Sequence, residues 1–360
     1  MIPIADPDLG TVEIENVSDV IESGMIADGP RVRDFEREFA DYCGASQAVA
    51  TSNGTTALHA AIEALGLGPG DRVVTTPFSF ISSSNTIRLA GAEPVFADIS
   101  RESFNLDPDS VRKIAEEQDV DAILAVHLYG LPCNMEALSS IAADHDLHLI
   151  EDCAQAHGAT YNGQRVGSFG DVGCFSFYPT KNMTTGEGGM VTTDSEAVAD
   201  RVASFVNHGR PPEGGYEHVR LGHNFRMTSI AAAIGNEQLR KLPEYLAQRR
   251  ATAERFSDEI EVEGVRTPVI PDNQTHAYHQ YTLLTDAREA LIEHLHKNDV
   301  GAKVYYPTCI HQQPAYSEFT PTVPVAEQVA EEVVSIPVHP GLSSEEISQI
   351  ITAVNEFSHE

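Results

Sequence analysis

One lysine of this chain lies in a sequence setting that could make its amine reactive. The 360 residues include only five lysines, and Lys181 lies between the apolar run 172–178 and a glycine cluster at 186–189. A lysine that is partly removed from water binds its proton less tightly and becomes a usable nucleophile. The loop by itself fits an ordinary surface lysine equally well, so other residues have to decide between the two.

Two further segments could bind a phosphate group. In SNGT, residues 52–55, a predicted strand passes into a predicted helix, which places Gly54 and Thr55 at a helix N-terminus. Free backbone N–H groups and the positive end of the helix dipole attract anions there. Taken alone, this segment is more typical of a plain helix cap. Ser176 ends another predicted strand, and its hydroxyl could donate to a phosphate.

A carboxylate and an aromatic ring follow two more predicted strands. Asp152 lies at the end of the strand 148–153, and Gln155 and His157 come shortly after it. A carboxylate in this position can pair with a protonated ring nitrogen, bind a metal or cap the next segment. Phe80 follows another strand, where its ring could stack on a planar ligand or belong to the core.

The elements that must position these residues alternate between strands and helices. A helical pattern at 54–65 follows the first apolar run, and helical stretches separate the later runs. This rhythm predicts an α/β fold with a mainly parallel sheet covered by helices on both faces. Ligands of such sheets bind at the carboxyl ends of the strands. The predicted strands are 48–52, 71–77, 94–99, 122–128, 148–153, 172–178 and 189–193.

The pattern changes near residue 240, which predicts a second domain. A long helix is predicted to start at KLPEYL, with Pro243 in its first turn. Beyond it, residues 260–360 mix short strands, proline-rich loops and a closing helix near 343–357. We expect a large domain of residues 1–245, with an N-terminal arm, and a smaller C-terminal α+β domain of residues 246–360.

The chain is strongly acidic, which disfavours several classes of partner. It has 23 Lys and Arg against 54 Asp and Glu, a formal net charge of −31. Such a field repels phosphate backbones, so no nucleic acid is expected as a partner. Scarce lysine with abundant carboxylate favours a halophilic protein that is kept soluble in concentrated salt. An ordinary acidic cytosolic protein is the alternative.

Neither a metal site nor a disulfide framework is expected. The five cysteines are scattered and form no CxxC pair. His145 and His148 are closely spaced, as are His294 and His296, but the second pair would not share a helix face. No apolar run approaches the length of a membrane span, and the opening MIPIADPDLG carries no secretory signal. A cytoplasmic protein without membrane contact is therefore expected.

The candidate residues together match the needs of one cofactor, pyridoxal 5'-phosphate, which presents an aldehyde, a ring nitrogen, a flat ring and a phosphate. The sequence resembles the DegT/DnrJ/EryC/StrS family of pyridoxal-phosphate-dependent sugar aminotransferases over nearly its whole length. The resemblance implies the fold-type-I aminotransferase scaffold. It is carried, in this order, by the blocks DGPRVRDFEREFADYCGASQAVATSNGTTALHAAI, GLGPGDRVVTTPFSF, GAEPVFADI, VHLYGLPCNM, IEDCAQAHGA, GDVGCFSFYPTKNMTTGEGGMVTT and LGHNFRMTSIAAAIGNEQLRKL.

The resemblance also implies a role for each candidate residue near the cofactor ring. Lys181 would form the Schiff base, and Asp152 would keep the ring nitrogen protonated. Gln155 would hydrogen-bond the phenolic oxygen, and Phe80 would stack on the ring. The departures from the family pattern are mild, because serine for threonine at position 79 and cysteine for alanine at position 153 replace no residue with a chemical role.

Further roles concern the phosphate and a second subunit. The resemblance implies that Gly54, Thr55 and Ser176 hold the phosphate. Asn224, in GHNFRMT, is similar to the asparagine that reaches the phosphate of the neighbouring subunit's cofactor. A homodimer with shared active sites is therefore implied.

The family resemblance implies transfer of an amino group, from glutamate, to a nucleotide-linked 4-keto-6-deoxy sugar. Lysine at the Schiff-base position favours transamination over the deoxygenation catalysed by relatives with histidine there. NFRMT looks closer to the 4-aminotransferases, such as the perosamine-synthase type, than to the 3-amino branch. The alternatives are amination of a 3-keto sugar or a cyclitol, dehydration, and a non-catalytic regulatory homologue. A dinucleotide-dependent oxidoreductase lacks support, because GLGPG at 66–70 is not GxGxxG and precedes a strand.

Contacts with the sugar and its nucleotide are the least specific part of the prediction. The segment VYYPTCIHQQPAY, residues 304–316, approaches the substrate in relatives, and a core role for its side chains fits about equally well. The substrate candidates are His157, Tyr305 and His311, with Tyr306 and Tyr316 in the same segment. The candidate cations for the nucleotide, each of which also fits an ordinary surface or ion-pair arginine, are Arg31, Arg210, Arg220 and Arg226.

Overall fold

The computed structural model describes residues 1–211 and 214–358. The helices in these ranges are α1 (Thr11–Ser23), α2 (Pro30–Cys43), α3 (Gly54–Leu65), α4 (Ser82–Leu89), α5 (Pro108–Glu117), α6 (Met135–His145), α7 (Glu196–Val206), α8 (Ser229–Glu259), α9 (Arg288–Lys297), α10 (Pro324–Glu332) and α11 (Ser344–Asn355). The strands are β1 (Gln47–Thr51), β2 (Arg72–Thr75), β3 (Glu93–Phe96), β4 (Ala122–Val126), β5 (His148–Asp152), β6 (Thr160–Tyr161), β7 (Gln164–Arg165), β8 (Val172–Ser176), β9 (Gly189–Thr193), β10 (Gln274–Thr275), β11 (Tyr281–Leu284) and β12 (Val333–Ile336).

The central sheet has seven strands in the order β1-β9-β8-β5-β4-β2-β3. The pairs β2–β3, β2–β4, β4–β5 and β5–β8 are parallel, and β9 runs antiparallel to both β8 and β1. In this register Asp152 of β5 lies beside Val126 of β4 and Cys174 of β8. The carboxyl ends of β1, β2, β4, β5 and β8 therefore meet at one edge. The predicted α/β fold with a mainly parallel sheet is confirmed.

Local sequence explains the elements that end at this edge. All five residues of β4, AILAV, are buried, as expected of a strand covered on both faces. The helix predicted at 54–65 is α3 with the same bounds. It begins because the Asn53 side chain accepts a hydrogen bond from the Thr56 amide at 2.9 Å. It ends at Gly66, whose φ of 82° only glycine adopts without strain.

The long helix α8 begins earlier than predicted. It starts at Ser229, after Thr228 caps it by accepting from the Ala231 amide at 3.2 Å, and Pro243 lies inside it. The prediction of a start near KLPEYL was wrong because one missing backbone hydrogen bond at Pro243 does not end a helix that is packed along its length. The alanine-rich stretch before the proline has strong helix propensity. The closing helix predicted near 343–357 is confirmed as α11.

Two hydrophobic cores are relevant to the predicted domains. One lies around the central sheet and also includes C-terminal residues such as Ile310 and Val329. The other joins the end of α8 to β11, β12, α9 and α11, and it includes Ile2. The boundary predicted at 245/246 falls inside the continuous helix α8, so the two-domain division stays a prediction. Among the described residues, no helix has both the length and the apolar character required to cross a bilayer.

A buried ion pair fastens α1 to α8. Glu13 Oε1 accepts hydrogen bonds from Lys241 Nζ at 2.6 Å and from Gln238 at 2.8 Å, and Glu13 Oε2 accepts from the Gly10 amide at 3.0 Å. Burial alone would raise the pKa of Glu13, but these donors outweigh it and lower the pKa from 4.5 to about 2. The pair therefore stabilises the fold fully above pH 4.5, and this contribution is lost as the pH falls towards 2.

We expect Glu13→Gln to reduce the free energy of unfolding at neutral pH by about 1–3 kcal/mol, because Lys241 loses its charge partner. Urea unfolding between about pH 7 and about pH 3 measures the effect, and the difference from wild type should stay constant above pH 4.5 and shrink below it. Glu15→Gln, an exposed change on the same helix, is the control. Equal stability of the two variants at neutral pH would contradict the role of the pair.

Candidate active site

Lys181 lies in the loop between β8 and β9, at the carboxyl edge of the sheet. The loop is held in place by backbone and side-chain hydrogen bonds: the Lys181 amide donates to Tyr178 O at 2.8 Å, and Thr184 Oγ1 donates to Phe177 O at 2.9 Å. Burial lowers the pKa of Lys181 to about 8, although the charge of Asp152 acts in the opposite direction. Near neutral pH this amine is therefore neutral more often than that of an exposed lysine, which favours it as a nucleophile and a base.

Asp152 ends β5 and faces the same site. Its side chain is buried, Oδ1 accepts from the Ala154 amide at 3.1 Å, and Oδ2 accepts from Ser83 Oγ at 2.9 Å. Burial raises the pKa of Asp152, while these two donors and the charge of Lys181 lower it in part. A carboxylate held in this way keeps lone pairs free for a cationic ring N–H.

Gln155 is held by two partners on opposite sides of its amide. Its Oε1 accepts from the Tyr129 amide at 2.7 Å, and its Nε2 donates to the Tyr306 hydroxyl at 3.1 Å. Burial raises the pKa of Tyr306, and the charge of Asp152 raises it further. Tyr306 therefore belongs to the site together with Asp152 and Gln155. The sequence placed Tyr306 in the substrate segment without singling it out.

Phe80 forms an aromatic wall of the site. Its side chain is 55% exposed, so it is not the core residue that the alternative interpretation assumed. Phe78, two positions earlier, fills the core instead and has no exposed surface. The Phe80 ring lies 6.2 Å from the Tyr306 ring, with 40° between the planes. An exposed ring at a strand end can cover one face of a planar ligand.

The N-terminus of α3 packs closely against the end of β8 and forms an anion cradle. A Cβ on Gly54 would lie 2.6 Å from the Cβ of Ser176, so only glycine allows this approach. Asn53 uses its side chain and carbonyl to satisfy the amides of Thr56 and Ala57, which leaves the Gly54 and Thr55 amides for a ligand. The Thr55 hydroxyl lies 2.8 Å from the Ser82 hydroxyl, which adds a further donor.

We expect Gly54→Ala to weaken the binding of pyridoxal phosphate by about 10-fold or more, because the added methyl group pushes the helix away from Ser176. The dissociation constant of the cofactor is measured by titrating the apoprotein with pyridoxal phosphate while protein fluorescence is monitored. Gly68→Ala is the matched control, since its Cβ meets nothing closer than 3.5 Å. An unchanged dissociation constant in the Gly54 variant would contradict the assignment of the cradle as the phosphate site.

The three predicted substrate contacts lie in different surroundings. His157 has no exposed surface and lies between Phe175 and Phe177, with ring centroids 5.5 and 5.7 Å away. Burial, together with the charge of Lys181, lowers its pKa to about 3, so it is neutral. This buried position favours a packing role for His157 behind the site over direct contact with a substrate.

The two candidates from the C-terminal segment, Tyr305 and His311, each have a hydrogen-bond partner within the chain. The backbone carbonyl of Tyr305 accepts from the Tyr129 hydroxyl, which ties the segment to the loop after β4. His311 Nε2 lies 3.0 Å from Glu327 Oε1, and its ring packs beside Phe96. Tyr316 is a core residue that donates to Asn85 Oδ1 at 2.7 Å. Substrate contact by Tyr305 and His311 stays a prediction.

Asn224 lies in the segment between α7 and α8 together with Arg210, Arg220 and Arg226, whereas Arg31 lies at the start of α2. Asn224 is exposed and pairs through its backbone with Asn207, whose side chain accepts from Arg226. The Arg210 guanidinium lies 5.2 Å from the Tyr216 ring. Arg31 is 3.8 Å from Asp19 on the surface. The next residue, Phe225, accepts a hydrogen bond from the Ser52 amide at 2.7 Å, which places this segment beside the α3 cradle of its own chain. A role of Asn224 towards a second subunit stays a prediction.

One cluster in the described ranges has the composition of a metal site. Ligand atoms of His127, Glu151 and Cys153 lie within 4.8 Å of one another. His127 Nδ1 accepts from the Cys133 amide at 2.9 Å, which leaves its Nε2–H to donate to Glu151 at 3.1 Å. Glu151 also accepts three backbone amides, at 2.8, 2.8 and 2.9 Å, from the turn at 167–170. These donors already use the carboxylate, which favours a structural hydrogen-bond network over an ion.

The residues present fit pyridoxal phosphate. The glycine cradle of α3 with Ser176 suits the phosphate, and the buried Asp152 suits the ring nitrogen. Phe80 supplies a face for the ring, and Lys181 supplies the amine. Sequence reasoning missed Ser83, and it named Tyr306 only as part of the substrate segment. Their contacts with Asp152 and Gln155 join residues 69 and 151 positions apart.

Comparison with known proteins identifies the relatives of this chain. The model of the DegT/DnrJ/EryC1/StrS aminotransferase family matches residues 7–355. A GDP-perosamine synthase of Escherichia coli O157:H7 is 36% identical, covering 99% of this chain and 98% of that protein. A dTDP-3-amino-3,6-dideoxy-alpha-D-galactopyranose transaminase of Aneurinibacillus thermoaerophilus is 38% identical, covering 94% and 93%. The crystal structure of S. venezuelae DesV superposes with a TM-score of 0.92 at 35% identity, covering 96% and 93%.

Proposed function

Because the chain belongs to the DegT/DnrJ/EryC1/StrS aminotransferase family, we propose that it transfers an amino group from glutamate to a nucleotide-linked 4-keto-6-deoxy sugar. It is an aminotransferase that depends on pyridoxal phosphate. One observation carries the proposal: a lysine with a pKa lowered to about 8 and a buried carboxylate meet at the edge where the phosphate cradle lies. The sugar acceptor is supported by relatives that are named for nucleotide sugars.

The chemistry divides between the cofactor and a few residues. When bound, pyridoxal phosphate supplies a ring that takes up the electrons of a broken C–H bond and holds the amino group between two half-reactions. Nζ of Lys181 takes a proton from the α carbon of the donor and later returns one, as a base and then an acid. Asp152 keeps the ring nitrogen protonated, so that electron uptake is favourable. Phe80 and Tyr306 flank the site, with their rings 6.2 Å apart.

A 3-keto sugar is the second candidate acceptor. It is favoured by the transaminase of Aneurinibacillus thermoaerophilus, which is named for a sugar with its amino group at position 3. That protein is 38% identical to this chain, against 36% for the perosamine synthase. These identities are too close to separate the two. The 4-keto proposal rests on NFRMT, residues 224–228.

A panel of nucleotide keto sugars tests the proposal. Purified holoenzyme is incubated with glutamate and either GDP- or dTDP-linked 4-keto-6-deoxy or 3-keto sugars, and products are scored by mass. We expect exchange of the keto oxygen for an amino group, with the highest kcat/KM on a 4-keto-6-deoxy sugar. Preference for a 3-keto sugar would move the reaction to the second candidate. Loss of water without amination would indicate a dehydratase, and no turnover on any member would favour a regulatory homologue.

We also propose that the active unit is a homodimer with shared sites. The support is an exposed apolar surface in the segment that leads to Asn224, where Tyr216 is 85% and Leu221 92% exposed. Together with Val219, which is 56% exposed, these side chains group in one segment, and grouped exposed apolar side chains are typical of an interaction surface. Since most soluble oligomers pair identical chains, a second copy is the expected occupant.

Mixing two inactive variants tests the shared site. We expect Lys181→Ala and Asn224→Ala each to be impaired alone. If Asn224 acts in the partner's site, random pairing of the two chains restores one intact site in half of the dimers, roughly a quarter of wild-type activity. Refolding or subunit exchange at equal concentrations, followed by the transamination assay, gives the result. Activity no higher than that of the better single variant would place Asn224 in its own chain's site or outside any site.

A further inference from the structure

A hydroxyl relay ends on Asp152, and none of the roles above accounts for it. Ser83 Oγ donates to Asp152 Oδ2 at 2.9 Å, and Ser79 Oγ lies 3.2 Å from Ser83 Oγ and also 3.2 Å from the Phe80 carbonyl oxygen. The three side chains are almost completely buried, with 4%, 1% and 5% exposed for Ser79, Ser83 and Asp152. The relay therefore crosses from the loop after β2 and the first turn of α4 to the end of β5.

Helix geometry alone does not require this arrangement. A serine or threonine inside a helix commonly bonds to a backbone carbonyl one turn earlier, as Thr86 Oγ1 does to Ser82 O at 2.9 Å. Ser83 directs its hydroxyl to a carboxylate on another element instead. Ser84, the next residue, is also fully buried, and its hydroxyl has no partner among the described residues. Ser83 and Ser84 are thus adjacent and similarly buried, but only Ser83 is hydrogen-bonded to Asp152.

Ser83 and the Ala154 amide donate to different oxygens of Asp152. Burial raises the pKa of Asp152, and both donors oppose that rise because they stabilise the anion. The other titratable groups that act on Asp152, or on which it acts, are Lys181, His127, Tyr306, Cys133, Cys153 and Cys174. Ser83 is a neutral donor, so its effect on the carboxylate does not itself change with pH.

We infer that Ser83, supported by Ser79, is a positioning residue that orients Asp152 and keeps the proton that Asp152 shares with the cofactor ring on the ring nitrogen. This inference rests on the proposed role of Asp152. A donor to Oδ2 lowers the proton affinity of the carboxylate, so the pair stays as carboxylate and ring N–H. Without that donor the proton moves towards Asp152, the ring becomes neutral and it takes up electrons less readily. Only a proton changes place, and no bond to carbon is involved.

Nitrogen-15 NMR of the holoenzyme, loaded with cofactor labelled at the ring nitrogen, tests this directly. In Ser83→Ala we expect the resonance to move towards the unprotonated position, with kcat about 10-fold or more lower and KM little changed. Ser79→Ala should shift the resonance in the same direction by less. It also serves as the test if Ser83→Ala retains too little cofactor to measure. Ser84→Ala should match wild type in both readouts.

Asp152→Asn, measured in the same way, separates this inference from the role of Asp152 itself. If Asp152→Asn moves the resonance while Ser83→Ala and Ser79→Ala leave it at the wild-type position, the inference about Ser83 is overturned and the role of Asp152 stands. If Asp152→Asn also leaves the resonance unchanged, the role of Asp152 fails and the inference fails with it. A fall in kcat of Ser83→Ala without any shift of the resonance would reduce Ser83 to a structural residue.

Discussion

Replacing Lys181 by alanine or arginine is expected to lower turnover by at least about 10³-fold, because one side chain supplies both the covalent link to the cofactor and the proton transfers. Alanine removes the amine. Arginine keeps a positive charge but stays protonated and cannot attack the cofactor aldehyde. The visible absorbance of the bound cofactor should change in both variants. Steady-state assays of amino product, with spectra of the same samples, measure the two effects.

Lys113→Ala is the control for this experiment. Lys113 is an exposed lysine of α5, so its replacement by alanine changes the net charge as Lys181→Ala does and leaves the site intact. The control should retain wild-type turnover and spectrum. Circular dichroism of each variant checks that the fold persists. Wild-type turnover in either Lys181 variant would refute the assignment of the nucleophile.

The second large effect is expected for Asp152→Asn, with kcat lowered by about 10²–10³-fold and substrate KM little changed. The amide has nearly the same shape as the carboxylate, but it cannot hold a proton on the ring nitrogen by its charge. Because both half-reactions use the ring to take up electrons, both should slow. Single-turnover measurements with glutamate alone, and then with the keto sugar alone, separate them.

Asp286→Asn is the matched control, since Asp286 is exposed and lies just before α9 in the C-terminal part of the chain. It should not change either half-reaction. Cofactor content must be measured for both variants, because weaker binding would also reduce the rate. Unchanged half-reaction rates in fully loaded Asp152→Asn would show that the carboxylate has no electronic role.

Sequence reasoning placed the strands and the residues that follow them because these depend on local patterns. The buried run of β4 and the helix cap at Asn53 can each be recognised from a few neighbouring residues. Parallel strands bring their carboxyl ends to one edge, so Asp152, Ser176 and Phe80 could be placed together before any coordinates were known. The extent of α8 was missed because Pro243 is a strong local signal that long-range packing overrides.

Contacts between distant parts of the chain could not be predicted from local sequence patterns. Ser83 lies in an ordinary SSSN segment, and nothing local separates it from Ser84, yet only Ser83 bonds to Asp152. Tyr306 joins the site only because the C-terminal segment folds back onto Gln155. The ring of His311, a predicted substrate contact, is paired with Glu327, which lies 16 positions further along the chain.

The most direct test of the account is reduction of the holoenzyme with borohydride, followed by proteolysis and peptide mapping by mass. The account predicts a single pyridoxyl-modified peptide, SFYPTKNMTTGEGG or a fragment of it, with the modification on Lys181. The other four lysines should be unmodified, which the low lysine content of the chain makes easy to verify. A modified residue elsewhere, or no modified peptide from a loaded sample, would contradict the central claim that Lys181 carries the cofactor.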